Sequence, residues 1–131
     1  MTVVFCCNCN CEVNTKLITG KIVYPHRKDL YNLKFLQCPT CNHFVGTHKG
    51  SNIPLGSIPT PKLKAQRSKI HSIMDPLWRK KLISRTELYR YLTSVLGRSY
   101  HTAELRNDSE VNKILYAVNY LKNKLSENHT V

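Results

Sequence analysis

Two patterns of apolar and polar positions divide the chain near residue 60. Over the first fifty residues, short runs of β-branched and aromatic side chains alternate with turn-forming residues, as in "EVNTKLITGKIVY" and "LYNLKFLQC". Runs of this kind predict short β-strands, with Gly20 as a candidate turn or bulge. After Pro61, apolar residues recur at intervals of three and four, the spacing of one face of an α-helix. The chain therefore predicts a β-rich first part and a helical second part.

Prolines and capping residues mark the ends of the predicted helices. Thr60 followed by Pro61 predicts a helix start, because a proline at the first helical position lacks only an N–H that has no helical partner there. Asp75 followed by Pro76 repeats this pattern, so the first helix is predicted to stop there and a short helix, "PLWRKKL", to begin. Trp78 on this short helix is expected to be largely buried and to bridge two longer helices. The capping box "SRTE" opens the next helix, which is predicted to end at Gly97, and a further apolar stripe predicts the last one.

The segment "FCCNCNCE", residues 5–12, places four of the six cysteines within six positions. A second group, "CPTCN" at residues 38–42, has the same form, C-x-x-C-N, as residues 6–10. Two thiolates separated by two residues bind one metal in a tight turn, and asparagine tolerates the left-handed conformation common after the second cysteine. Two such knuckles joined by strands predict a zinc ribbon with one structural, tetrahedral Zn²⁺. The predicted ligands are Cys6, Cys9, Cys38 and Cys41.

Other uses of the cysteines and histidines stay open. Cys7 and Cys11 are left over by this pairing, either as free thiols or as members of a different ligand set. His43 or His48, just after the second knuckle, would give a site of three thiolates and one imidazole if it replaced a cysteine. A C-x-x-C pair also serves thiol exchange, but that chemistry has its motif at a helix N-terminus, and here a strand is predicted to follow.

The combined pattern predicts an α+β fold in three stretches. They are a zinc-ribbon-like β part with both knuckles over residues 1–50, a connecting loop over residues 51–60, and a basic part of three to four helices over residues 61–131. The helical part is expected to form one compact unit. No apolar run approaches the ~18 residues of a membrane span, and the start lacks the pattern of a secretory signal. A cytoplasmic location is therefore expected, where clustered cysteines bind metals more often than they form disulfides.

Positive charge is concentrated in the middle of the chain. There are 20 Lys and Arg against 8 Asp and Glu, a formal net charge of +12, and residues 61–106 hold eleven of the basic residues and three of the acidic ones. This concentration favours an acidic partner, either nucleic acid or a protein surface, with a merely solvated face as the alternative. Aromatic residues such as Trp78 and Tyr89 lie among the charges. The predicted binding surface consists of Lys62, Lys64, Lys69, Arg79, Lys80, Lys81 and Arg90.

No group of residues shows a recognisable catalytic pattern. The sequence contains neither a Gly-rich phosphate loop nor H-E-x-x-H. Asn42, His43 and His48 are a weak match to an HNH nuclease, but that chemistry needs an open metal, whereas four cysteines close the site. The sequence therefore predicts a protein that is not an enzyme.

The order of its motifs resembles that of small zinc-finger-containing proteins of bacteriophages that infect low-GC Gram-positive hosts. The matching pieces, spread over roughly residues 5–105, are the two knuckles, "VGTHKG", "PLG", the D-x-x-W step at "DPLW" and the R-x-E-x-Y-x-x-L helix at "RTELYRYL". The first knuckle is more crowded with cysteines than the family pattern, and the strand region is longer. The resemblance implies a protein that acts by binding.

The resemblance also implies a class of partner. Some small phage proteins inhibit host defence, among them anti-CRISPR proteins that bind an effector nuclease. The expected partner is therefore a host protein such as a CRISPR effector nuclease, whose DNA loading would be blocked. The alternative is direct binding of DNA or RNA by the basic helices. No membrane contact is expected, and the oligomeric state is left without a prediction.

Overall fold

The computed structural model describes the backbone of residues 2–129 and the side chains of residues 2–126. The chain divides into two compact units, of which the first ends at Pro61 and the second begins at Lys62. Antiparallel strands with the cysteines make up the first unit, and helices make up the second. This order of elements confirms the predicted α+β class.

The first unit consists of a β-hairpin and a three-stranded antiparallel sheet. In the hairpin, β1 (Val3–Cys6) pairs with β2 (Cys11–Asn14). The sheet has the order β3–β4–β5 and is formed by β3 (Lys16–Thr19), β4 (Lys34–Gln37) and β5 (Phe44–Gly46). One cysteine knuckle lies in the turn of the hairpin, and the other joins β4 to β5. Both knuckles thus sit in turns between antiparallel strands, as in a zinc ribbon.

Gly20, a candidate turn or bulge in the sequence, turns the chain out of β3. Gly20–Val23 form a single helical turn, α1. A Cβ at Gly20 would lie 1.7 Å from the carbonyl oxygen of Leu30, so only glycine fits against this backbone. The Gly20 N–H also donates to the Leu33 carbonyl at 2.9 Å. The β-branched residues that follow Gly20 form a helical turn because these contacts with residues ten or more positions away decide the local conformation.

The loop after β5 packs on the hairpin as an extra extended segment. Ile58 forms a parallel bridge with Cys6. Its N–H donates to the Phe5 carbonyl at 2.8 Å, and its carbonyl accepts from the Cys7 N–H at 2.9 Å. The side chain of Ile58 is fully buried in a core with Val4, Leu36 and Val45. Of the two interpretations that proline and glycine content allow, linker or ordered loop, the ordered loop is correct.

The second unit contains three long helices, α2 (Pro61–Arg79), α3 (Arg85–Leu96) and α4 (Asp108–His129). The stripes of apolar residues that predicted them face the core. The fully buried members are Ile70, Met74, Leu88, Leu92, Val111, Ile114 and Val118. None of the helices in the described part of the chain has the length and hydropathy that a membrane span requires.

The predicted break at Asp75 and Pro76 is wrong, because α2 continues through Pro76 to Arg79. Proline here removes one hydrogen bond of the helix. Burial on both sides of it offsets that loss, since Met74 is fully buried and Leu77 is 3% exposed. Trp78, expected to be largely buried, has intermediate exposure.

The end of α2 is a Schellman motif centred on Lys81. The Leu82 N–H donates to the Leu77 carbonyl (2.9 Å), and the Lys81 N–H donates to the Trp78 carbonyl (3.1 Å). Lys81 takes the left-handed conformation, with φ of 59°. Glycine is the usual residue at this position, so the lysine carries a conformational cost.

Both ends of α3 agree with the predicted capping signals. The Ser84 side chain accepts a hydrogen bond from the Glu87 N–H at 3.1 Å. At the other end, Gly97 has φ of 85° and its N–H donates to the Thr93 carbonyl. Because these signals act through the nearest backbone groups, they could be recognised without the tertiary structure.

Candidate metal centre

The four predicted zinc ligands lie together in the first unit. The sulfur atoms of Cys6, Cys9, Cys38 and Cys41 all lie within 4.8 Å of one another. Sγ of Cys6 lies 3.5 Å from Sγ of Cys41, and Sγ of Cys9 lies 3.7 Å from Sγ of Cys38. In a tetrahedral site with Zn–S bonds of ~2.3 Å, the sulfurs are about 3.8 Å apart. The cluster therefore fits one structural zinc ion held by four thiolates.

The backbone of the two knuckles explains why each cysteine pair reaches a common point. Asn10 has φ of 56° and Asn42 has φ of 65°, so the residue after the second cysteine is left-handed in both. This confirms the conformation predicted from the shared C-x-x-C-N form. In the second knuckle, the Asn42 N–H donates to the Cys38 carbonyl at 3.0 Å and closes the turn.

Backbone N–H groups and burial set the acidities of the thiols. Burial opposes ionisation of Cys38, but the N–H groups of Cys41 and Thr40 point at its sulfur and lower its pKa to about 7. The hydrogen bond with Cys38, followed by burial, raises the pKa of Cys9 to about 12. Burial is also the main reason that the pKa of Cys6 is raised. The backbone of the second knuckle therefore favours the thiolate form of Cys38, and zinc binding is coupled to the release of thiol protons.

Ile58 is a part of this site that sequence reasoning missed. It covers the first knuckle and belongs to the same buried core as Cys6 and Cys38. Two other apolar residues of its loop, Ile53 and Leu55, are exposed. Composition therefore does not single out Ile58, and only the bridge to β1 shows its role.

The spare thiols and the histidines lie outside the cluster. Cys7 Sγ lies 3.5 Å from Ser57 Oγ, and Cys11 is exposed. His43 and His48 follow the second knuckle, but neither belongs to the group of possible ligands found among the described side chains. The arrangement with four thiolates is thus favoured over one with three thiolates and an imidazole.

The seven basic residues of the predicted binding surface are all exposed and all lie in the second unit. On α2 they occupy two sides of the helix. Lys62 and Lys69 are two turns apart on one side, whereas Lys64 lies about 200° around the helix from Lys62. Lys62 also pairs with Asp108 at 3.2 Å. The residues therefore do not form one stripe along α2, and their role in binding stays a prediction.

Comparison with known proteins agrees with the metal centre. A family model described as a zinc-finger-containing domain matches residues 2–120, which includes both knuckles and the three long helices up to the middle of α4. No curated protein and no solved structure matches the chain. Because the family model covers most of the sequence and the four cysteines fit one zinc, the chain belongs to the family of zinc-finger-containing domains.

Proposed function

We propose that this protein acts by binding and that its helical unit binds nucleic acid. The proposal rests on the excess of positive over negative side chains in the second unit. The second unit holds fourteen Lys and Arg against six Asp and Glu. Of the seven residues of the predicted binding surface, five have no ion pair with a carboxylate among the described side chains: Lys64, Lys69, Lys80, Lys81 and Arg90. Such charge lowers the free energy of a complex with a phosphate backbone through counterion release.

The metal centre supports a structural role for the first unit within this proposal. Four thiolates complete the coordination of a zinc ion and leave no position for a substrate. The zinc would hold the hairpin turn against the turn between β4 and β5. We therefore assign binding to the second unit and structural support to the metal.

The proposal is tested by fluorescence anisotropy with labelled single-stranded and duplex DNA of random sequence. If about five phosphates of a single strand are neutralised, raising the salt from about 50 to 200 mM should weaken binding about 100-fold. Reversing Lys80 and Lys81 to Glu should weaken binding at least about tenfold at low salt and flatten the salt dependence. The matched control reverses two exposed lysines of the first unit, Lys16 and Lys28. No binding to either DNA at low salt, or equal losses in the two double variants, would refute the assignment.

A second candidate is an inhibitor that binds a host defence nuclease, as an anti-CRISPR protein does. The observation that favours it is a pair of exposed tyrosines one turn apart on α4. Tyr116 is 77% exposed and Tyr120 is 49% exposed, and Lys124 Nζ lies 5.8 Å from the Tyr120 ring centre. Tyrosine is enriched in protein interfaces. Such an inhibitor would act in the cytoplasm of a phage-infected bacterium and block DNA loading.

The two candidates are separated by capture of partners from a host lysate, with and without nuclease treatment. A nuclease inhibitor should retain its protein partner after nucleic acid is digested, and replacing Tyr116 and Tyr120 with Ser should release it. A nucleic-acid-binding protein should lose every captured protein on digestion. Retention of a nuclease, together with no DNA binding by the purified protein, would decide for the second candidate.

A further inference from the structure

Arg85, the first residue of α3, is held between two aromatic rings. Its guanidinium carbon lies 5.6 Å from the ring centre of Trp78 and 4.7 Å from that of Tyr89. Arg85 Nη2 also donates to the Tyr89 hydroxyl at 3.4 Å. The ring of Tyr89 in turn packs on the buried Tyr100, with ring centres 5.6 Å apart. The guanidinium is therefore fixed in place although the residue is exposed.

Arg85 differs from the three arginines that form ion pairs in the described part of the chain. Arg27, Arg79 and Arg98 each lie beside a carboxylate, whereas no ion pair of Arg85 occurs among the side chains that the structure describes. Glu87 is two residues further along α3, about 200° around the helix from Arg85. A fixed guanidinium with N–H donors left over is suited to bind an anion such as a phosphate.

The ring of Trp78 is oriented by a separate set of polar contacts. Its indole Nε1–H donates to Asp75 Oδ1 at 3.2 Å. The same oxygen lies 3.3 Å from His71 Nδ1, and the other carboxylate oxygen of Asp75 lies 4.0 Å from Arg79. The indole N–H is thus satisfied inside the protein, while the ring stays half-buried. Tryptophan is among the residues that are enriched at interfaces.

Taken together, these contacts bring a guanidinium and two aromatic rings to one place at the junction of α2 and α3. We propose that this arginine–aromatic cluster, formed by Trp78, Arg85 and Tyr89, is a binding site for single-stranded nucleic acid. Arg85 binds a backbone phosphate, and unpaired bases stack on those parts of the two rings that the guanidinium groups of Arg79 and Arg85 leave exposed. The proposal rests on the proposed function of the helical unit and names its site and its class of ligand.

Single strands are favoured over duplexes because only unpaired bases expose their faces to side chains. Aromatic rings and guanidinium planes stack on such bases with little sequence preference. An acidic peptide would satisfy Arg85 but would leave the two rings without a matching partner. Lys80 and Lys81, next along the chain from Arg79, add positive charge to the same junction for the neighbouring phosphates.

The site can be observed directly because Trp78 is the only tryptophan of the chain. Zinc-containing, full-length protein is titrated with an oligothymidine of about 15 nucleotides, and Trp78 fluorescence is followed; a random-sequence duplex is the second probe. The single strand should quench the Trp78 fluorescence, and the quenching should reach a plateau as the binding site fills. The single strand should also bind at least about tenfold more tightly than the duplex.

Variants at Arg85 and Tyr89 separate stacking from charge. Arg85→Lys keeps the charge but loses the planar guanidinium, so affinity for the single strand should fall about tenfold. Tyr89→Leu should cause a similar loss, whereas Tyr89→Phe, which keeps the ring, should stay within about threefold of the parent. Lys16→Gln, which removes one exposed charge of the first unit, is the matched control, with a loss of about threefold or less. Circular dichroism and zinc content verify the fold of each variant.

The outcomes distinguish this proposal from the broader one. Binding of single strands without quenching, with Arg85→Lys and Tyr89→Leu unchanged, would overturn the site and leave the proposed function standing. Quenching by duplex with equal or higher affinity would overturn the assignment to single strands. No binding of either probe at low salt would overturn both proposals. If Tyr89→Leu does not fold, the comparison of Arg85→Lys with Lys16→Gln decides by itself.

Discussion

Replacing Cys38 with Ser should remove the zinc and unfold the first unit. The aliphatic side chains buried around the cysteines are Val4, Leu36, Val45 and Ile58. At about 1.5–3 kcal/mol for each fully buried side chain, they contribute about 6–12 kcal/mol before any entropic cost. A structural zinc contributes about 10–16 kcal/mol in small zinc domains.

This comparison makes the metal the largest single contribution to the stability of the first unit. A unit of this length has a net free energy of unfolding of about 3–9 kcal/mol. Loss of one of the four thiolates abolishes tight zinc binding. The free energy lost is then larger than the net free energy of unfolding of the unit. The second unit has a core of its own, and its helices should remain.

The assay combines elemental analysis with two-dimensional NMR of the backbone amides. The parent protein should contain one zinc per chain, and Cys38→Ser should contain none. The variant should lose the dispersed amide signals of residues 2–61 and keep the helical circular dichroism. Cys7→Ser and Cys11→Ser are the matched controls and should each keep one zinc, since both thiols lie outside the cluster. Zinc retained in Cys38→Ser, or lost in either control, would refute the ligand assignment.

Three further substitutions test the packing, the backbone and the electrostatics. Ile58→Ala should lower the free energy of unfolding of the zinc-bound first unit by about 2–5 kcal/mol, because a fully buried side chain leaves a cavity; a urea titration that finds less than about 1 kcal/mol would contradict this. Lys81→Gly should raise the stability of the helical unit by about 0.5–1 kcal/mol, since glycine carries no strain at a φ of 59°, and an unchanged or lower thermal midpoint would count against it. Arg98 hydrogen-bonds to Glu110 and lowers the pKa of that carboxyl, so the folded state favours the charged form. Glu110→Gln should therefore cost about 1 kcal/mol above a pH of about 5, and the difference from the parent should vanish as the pH falls through the folded-state pKa; a difference independent of pH would exclude this explanation.

The sequence by itself determined the metal centre and the caps of α3. In each knuckle an asparagine marks the left-handed position after the second cysteine, and this detail was enough to choose Cys6 and Cys9 from four candidates. The sequence also predicted that α3 is capped by Ser84 and ends at Gly97. All of these features depend on hydrogen bonds and backbone angles within a few residues, so the local sequence contains the information that they require.

Tertiary structure alone decided the course of the chain after Gly20 and at Pro76 and Ile58. Gly20 turns because the Leu30 backbone lies against it, and Ile58 is buried because it pairs with a strand about fifty residues earlier. The helix passes through Pro76 because burial of Met74 and Leu77 outweighs one missing hydrogen bond. At each position a contact with a distant segment, or the burial that folding provides, outweighs the local preference, and neither contributes to the energy of an isolated stretch of sequence.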